Sequence, residues 1–365
     1  MALASALLLL LSACTSVQFE AALGSINRDQ AAFTQSQLAL ERNAAQQQAR
    51  RSSAQALLAQ PLGQAQAVQL ALLNSPALQA MLAHNGADVA SATALGRLQL
   101  AGAVVDQVTQ LRQAWVKAVA AQQTLVYAQQ VLEAAQASAE LAQRMQVAGN
   151  FSKLERARQQ LFYAEASTQL AQVQSERNAS RETLVRLLGL SDAQAAQLLL
   201  PERLPELPEV ADLVHTPTEV GLGATPQRLD LQLAQAQVQT QAQTSSLAVA
   251  NQLEASVRNA GSQLRESYGA YRSAYAIARN YHDAVLPLRS LIAEENLLRY
   301  NGMFMGVFEL LAETREQSNA VMAAIAAYKQ FWLADAALQS NLVGRPLDAA
   351  MDSPYSNDSN TTGKP

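Results

Sequence analysis

Apolar residues recur at helical spacing along most of this chain. Val104, Val108, Leu111, Trp115, Val119 and Leu125 share one face of a helix, Gln, Arg and Lys take the other, and alanine fills most places between. At 1.5 Å rise per residue, the stretch from 111 to 147 alone makes about 55 Å of helix. Gly149 supplies the left-handed cap that ends it. Ser152-Lys153-Leu154-Glu155 then opens the next helix as a capping box, in which the Ser152 hydroxyl accepts from the Glu155 amide and the Glu155 carboxylate accepts from the Ser152 amide. Residues 148–152 are therefore the tip of an antiparallel hairpin. The chain returns along 153–188 and closes at Leu187-Leu188-Gly189.

The same pattern is written twice, at an offset of 153 residues. Leu111-Arg112-Gln113-Ala114-Trp115 is answered by Leu264-Arg265-Glu266-Ser267-Tyr268, Gly149-Asn150-Phe151 by Gly302-Met303-Phe304, and Asn74-Ser75-Pro76-Ala77-Leu78 by Gln227-Arg228-Leu229-Asp230-Leu231. Two copies are too few for a solenoid, which buries its core by stacking several units. A tandem pair of long helical hairpins is the simplest object of this kind. Copy one covers 66–200 and copy two 224–344, the second turning at Gly302. Gly306 stands in for a serine cap before Val307-Phe308-Glu309.

Between the copies, Pro201, Pro205, Pro208, Pro217 and Pro226 forbid helix, so 201–223 is an extended linker. Ahead of copy one, residues 14–65 form a lead. Within it, Ala31 to Leu58 reads as a polar helix lying over a larger body rather than in a core, and Pro61-Leu62-Gly63 punctuates it. The polar residues 345–365 read as a disordered tail.

Composition adds little to this picture and excludes several others. Hydrophobic residues make up 49% of the chain and aromatics only 5%, a balance that favours helix over strand. A net charge of −4 leaves no basic stripe, so nucleic acid is not an expected partner. Beyond the first residues no apolar run reaches the roughly 20 needed to span a bilayer as a helix. No glycine-rich phosphate loop, nucleophile elbow or zinc-binding helix occurs, so no enzyme is expected.

The first residues set an address. Ala2 to Leu11 is a short apolar run, and Leu11-Ser12-Ala13-Cys14 has the form of a bacterial lipobox, making 1–13 a lipoprotein signal peptide. Cleavage would leave Cys14 first, carrying acyl chains as the protein's only covalent group, with no cofactor besides. It is the sole cysteine in 365 residues, which rules out an internal disulfide or a cysteine metal cluster. Thr15 and Ser16 follow without an aspartate, the default for delivery to the outer membrane of a Gram-negative bacterium, facing the periplasm. Each buried methylene of such an anchor contributes about 0.8 kcal/mol.

On these residues the sequence resembles the outer-membrane efflux protein (TolC-like) family, especially its lipid-anchored branch. The matching elements are the lipobox at Cys14, Ala67-Val68-Gln69-Leu70-Ala71-Leu72 before Asn74-Ser75-Pro76-Ala77-Leu78, Arg228-Leu229-Asp230-Leu231, and the tips at Gly149 to Glu155 and Arg299 to Gly302. They cover residues 14–344. The resemblance implies a homotrimer in which each protomer contributes four outer-membrane strands and part of a long α-helical barrel. It also implies tips that meet a periplasmic adaptor linked to an inner-membrane pump. The sequence departs from the family where those strands belong, around Gly96-Arg97 and Ser245 to Ala250. Residues 85–104 and 237–253 lack the 9–11-residue alternation and aromatic girdles of membrane strands. The expected fold is thus all-α, two tandem antiparallel hairpins with the membrane β-strands missing or vestigial. The expected role is a periplasmic duct component of a tripartite export system. The alternative is a barrel-less structural or accessory lipoprotein that binds an adaptor or a full-length channel without forming a pore.

The candidate docking residues are those of the two tips: Gly149, Asn150, Phe151 and Ser152 in the first, and Asn301, Gly302, Met303, Phe304 and Met305 in the second. Thioether sulfur suits copper(I), but two methionines without a third ligand fit an adaptable apolar contact better. A second reading has Phe151 and Phe304 folding back to close their own hairpins. His84, His215 and His282 lack partners at metal-ligand spacing. Glu294, Glu295, Glu309 and Glu313 read as solvated or paired with Arg299 and Arg315. Trp115, Tyr268, Tyr271 and Tyr275 read as packing between hairpins.

Overall fold

The structure, a computed structural model, describes residues 19–40, 43–90, 94–209, 228–240 and 246–346. Cys14, His215, Pro217 and Pro226 lie outside them, as does the tail from 347. Every regular element among the described residues is helical. In chain order these are α1 (19–29), α2 (Ala31–Thr34), α3 (Ala44–Leu58), α4 (Gln64–Asn74), α5 (Pro76–Ala90), α6 (Ala94–Val147), α7 (Lys153–Leu188), α8 (Asp192–Ala195), α9 (Leu229–Thr240), α10 (Ser246–Asn280), α11 (Leu286–Asn301) and α12 (Val307–Leu342). A single π-helical turn, Tyr281–Val285, joins α10 to α11.

Helices α6 and α7 form the first hairpin, and α10, the π turn and α11 form the second with α12. Packing of α6 on α12 joins the two. At 54 residues, α6 is about 80 Å long. It begins ten residues before the clear periodicity at Val104. Small side chains let these helices approach closely: Ala101, Ala114, Ala118, Ala120, Ala121 and Ala135 are all buried along α6. The main core lies at the end far from the tips, where Val68, Leu70 and Leu72 of α4 meet Leu100, Val104, Val108, Leu111 and Trp115 of α6 and Leu184 and Leu188 of α7. A second core groups Leu264, Tyr268 and Tyr271 of α10 with Phe331 and Leu338 of α12.

Both copies close in one way. Gly189 (φ +66°) ends α7 against the start of α5, where a Cβ would lie 2.6 Å from Ser75 Cα and Pro76 Cδ. The Asn74 side chain donates to the Gly189 carbonyl at 2.9 Å. Gly344 (φ +88°) ends the second copy against the start of α9, and the Leu229 amide donates to the Val343 carbonyl at 2.9 Å.

The lead departs from expectation. Ala31 to Leu58 is two helices, α2 and α3, parted at Gln35, whose backbone is left-handed. Phe33, Leu38, Ala54 and Leu58 are buried in the main core together with Phe19, Leu23 and Ile26 of α1. Asn27 ties the break down, donating to the Leu38 carbonyl at 2.9 Å and accepting from the Leu38 amide at 2.8 Å. The high glutamine content masked a few large apolar anchors, and burying those decides where such a segment lies.

The described part of the proline-rich linker is extended, and its backbone is held by side chains from both copies. Gln123 accepts from the Leu204 amide at 3.3 Å, Trp332 Nε1 donates to the Pro205 carbonyl at 3.1 Å and the Tyr275 hydroxyl to the Pro208 carbonyl at 2.9 Å.

Candidate functional site

The first tip is built as its residues dictate. Gly149 (φ +80°) turns the chain, and the Asn150 amide donates back to the Met145 carbonyl at 2.9 Å. Ser152 Oγ accepts from the Glu155 amide at 3.1 Å while Glu155 Oε2 accepts from the Ser152 amide at 3.0 Å. Those hydrogen bonds to the charged form hold the Glu155 carboxyl below its usual range. Gly149, Asn150 and Ser152 are exposed and Phe151 is half-buried.

The second tip repeats two of these three hydrogen bonds, one residue out of the expected register. Met303, not Gly302, has the left-handed backbone (φ +62°), while Gly302 has φ −79°. The Phe304 amide donates to the Arg299 carbonyl at 2.8 Å, as Asn150 does to Met145. The equivalent of Gly149 is therefore Met303, at an offset of 154 rather than 153. One extra residue has entered between Tyr268 and Arg299, and the π turn at Tyr281–Val285 lies in that interval, opposite regular α-helix in α6. A π turn is how a helix absorbs one inserted residue. A non-glycine residue in the left-handed region costs about 1–2 kcal/mol. The cap of α12 is correspondingly reduced: Gly306 offers no side chain, and only the return bond survives, from the Gly306 amide to Glu309 Oε2 at 3.1 Å.

The apolar tip residues divide. Phe151 neither projects freely nor closes its own hairpin, because its ring stacks on Phe308 of α12 with centroids 4.8 Å apart. Met305 is half-buried. Met303 and Phe304 stand out into solvent, 94% and 81% exposed.

Charged groups clasp the hairpins just behind the tips. Arg289 of α11 reaches Glu313 at 3.3 Å and Glu316 at 3.8 Å on α12. Arg315 lies over the Phe162 ring of α7, 4.9 Å from its centroid. Glu313 thus pairs across the second hairpin with Arg289 rather than with Arg315, and Glu309 serves the cap. Neighbours along one helix were weaker guides than the facing helix. Glu294 and Glu295 are exposed. The distal halves of both hairpins also leave large apolar side chains in water, Leu154 and Leu161 on α7 and Leu288, Leu291, Leu297 and Leu298 on α11.

Elsewhere, the aromatic candidates are packing. Trp115 is buried and its Nε1 donates to the Leu62 carbonyl at 2.7 Å. Tyr271 and Tyr275 surround Phe331, at 5.3 and 5.6 Å between centroids. The Arg228-Leu229-Asp230-Leu231 segment is a brace: buried Arg228 donates to both Asp230 oxygens and to Asn341, whose side-chain amide donates to the Gln263 carbonyl and Ser267. His84 is exposed. His282 pairs with Asp283 at 2.6 Å within the π turn, and hydrogen bonds from His282 and Arg279 draw the Asp283 carboxyl below its usual range. Among the described residues, no three His, Cys, Asp or Glu side chains gather as a metal site, and no helix is long and apolar enough to cross a membrane. Sequence reasoning missed Phe308 and the π turn. The one-residue slip between the copies is the signal that would have found the turn.

No known family profile and no curated protein matches this chain. Solved structures match in fold. The chain is similar to the Campylobacter jejuni CmeC outer membrane channel, with a TM-score of 0.56 and 11% identity over 73% of this chain and 68% of that one. A membrane protein from Pseudomonas aeruginosa gives 0.52 and 15% identity over 73% of each chain. The outer membrane protein VceC from Vibrio cholerae gives 0.50 and 11% identity over 90% of this chain and 96% of that one. At such identities the shared property is the fold. The described residues are all-α and share the long-helix fold of these outer membrane proteins.

Proposed function

We propose that this protein is a lipid-anchored member of the outer-membrane efflux (TolC-like) family, held at the periplasmic face of the outer membrane by acyl chains on Cys14. It assembles as a homotrimer into a periplasmic helical duct. Its tips dock on a periplasmic adaptor that links it to an inner-membrane pump, and it carries out no catalysis. The observation that carries this reading is the pair of long hairpins whose distal apolar faces stay unburied in one chain, in a fold shared with an outer membrane channel. Such faces mark contacts with other chains.

One observation favours the second reading, a barrel-less accessory lipoprotein without a pore of its own. Helix α5 runs to Ala90 and α6 starts at Ala94, while α9 ends at Thr240 and α10 starts at Ser246. The three and five residues between are too few for even one membrane strand of about 9–11 residues.

Planar-bilayer recordings separate the two readings. Discrete conductance steps from the purified, acylated protein support the duct with a pore. Silence, together with retained binding to an adaptor, supports the accessory role. Cys14→Ser is expected to release the protein from membranes, and unchanged membrane retention of that variant rejects the anchor.

A further inference from the structure

Three features of the second hairpin are each one residue out of place, and they share one remedy. The π turn Tyr281–Val285 holds one residue more than regular helix would, with the Leu286 amide donating to the Tyr281 carbonyl. At the other end of α11 the left-handed position falls on Met303, and Gly302, which would take it freely, stands one residue too early. Between them, the inward face of α11 is poorly matched to its residues. Arg289, Ala293 and Asn296 are half-buried there, while Leu288 and Ile292, each one residue earlier, are 58% and 41% exposed.

Drawing the π turn into regular helix would carry α11 toward the tip by one residue, about 1.5 Å and 100°. Every residue of α11 would then take its successor's place. Gly302 would reach the left-handed position. Leu288 and Ile292 would enter the face now filled by Arg289 and Ala293, and Glu295 would replace Asn296. The loop between Gly302 and the Gly306 cap would hold the surplus residue.

The observed register has holds of its own. Arg289 reaches Glu313 and Glu316 on α12, and Asp283 pairs with Arg279 and His282 at the π turn. Pro287 is a third. Inside a regular helix a proline ring clashes with the carbonyl four residues back, here that of Asp283. Without the π turn, residues 246–301 would form one helix with that proline in its interior.

We infer that α11 has two registers one residue apart, and that Pro287 is the lock that keeps it in the observed one. Interlocked side chains make such a displacement a discrete step rather than a drift. The step buries two aliphatic side chains, undoes the Arg289 clasp and recasts the backbone of the second tip. The distal face of the hairpin and its tip therefore change together.

The test traps each register chemically in the full-length protein, whose only native cysteine is Cys14. Arg289→Cys with Glu313→Cys reports the observed register, and Leu288→Cys with Glu313→Cys the shifted one. Each pair is closed by a short bifunctional methanethiosulfonate and read from the mass of the joined peptides. Pro287→Ala is expected to raise the yield of the Leu288 pair at least about tenfold. In that background Gly302→Ala is expected to lower it about tenfold, because the shifted register needs a left-handed backbone at 302. In the observed register the added Cβ lies nearest Phe304 Cδ2, at 2.9 Å, on an exposed ring that can turn aside. Met303→Gly relieves the observed register and is expected to lower the same yield without touching the helix. Deletion of Ala284 takes out the surplus residue, and is expected to keep the Arg289 pair while abolishing the Leu288 pair. A Leu288 pair that stays at background in the Pro287→Ala protein overturns the inference. So does one that survives the Ala284 deletion or ignores Gly302→Ala, since it would report a loosely packed helix rather than a second register.

Discussion

Phe151 of the first tip and Phe308 of the second hairpin stack with ring centroids 4.8 Å apart and planes within 20°. The two tips are thereby one surface. An aromatic pair of this kind contributes about 0.5–1.5 kcal/mol beyond the area it buries. A double-mutant cycle of Phe151→Ala and Phe308→Ala is expected to show coupling of that size in urea unfolding. Strictly additive effects of the two changes would mean that the rings merely neighbour each other.

The three left-handed glycines among the described residues are not equivalent, and two of them make a contrast. A Cβ at Gly149 meets nothing within 4 Å, whereas at Gly189 it meets the backbone of Ser75 and the ring of Pro76. Gly149→Ala should therefore cost only the left-handed penalty, about 1–2 kcal/mol. Gly189→Ala should cost clearly more, because α5 must move away from α7. Thermal melts of the two variants compare them directly, and equal losses would contradict the close packing at Gly189.

Trp115 joins the first hairpin to the lead through one buried bond, Nε1 to the Leu62 carbonyl at 2.7 Å. Trp115→Phe keeps most of the ring but leaves that carbonyl without its donor. The expected loss is about 1–3 kcal/mol, the cost of an unsatisfied buried polar group. A variant as stable as the parent would show that water or another donor replaces the indole.

The Glu155 cap makes a pH-dependent contribution at the first tip. Hydrogen bonds from Ser152 lower the Glu155 pKa from its ordinary value of 4.5. A depressed carboxyl stabilises the fold fully above the unfolded-state value and loses that contribution as pH falls through the folded one. Amide exchange in the first turn of α7 is thus expected to be insensitive to the state of Glu155 at neutral pH and to accelerate below about pH 4.5 beyond its intrinsic rate. Glu155→Gln should remove that acceleration, and its persistence in the variant would assign it to another group.

Local features were legible in the sequence because their causes are local. The capping box at Ser152 and Glu155 needs only residues three apart, and it is present as read. The left-handed turn at Gly149 follows from the one residue type that adopts it freely. The duplication was visible too, since both hairpins repeat one order of elements. Its one-residue slip was legible as well, since Glu155 and Glu309 stand 154 apart. But only the structure places the extra residue in the π turn Tyr281–Val285, and the second tip was read one position early, at Gly302 instead of Met303.

The chain alone determined an all-helical architecture of two long hairpins, because helical periodicity, alanine-rich faces and caps act within a few residues of one another. The tertiary structure decided which partners those helices find. It sent the polar-looking lead into the main core through Phe33 and Leu38, paired Glu313 with Arg289, and laid Phe151 against Phe308 instead of leaving it free. Each of these contacts joins residues on different elements, and their free energies depend on which faces meet. That is a property of the packed helices together, and no spacing within one helix encodes it.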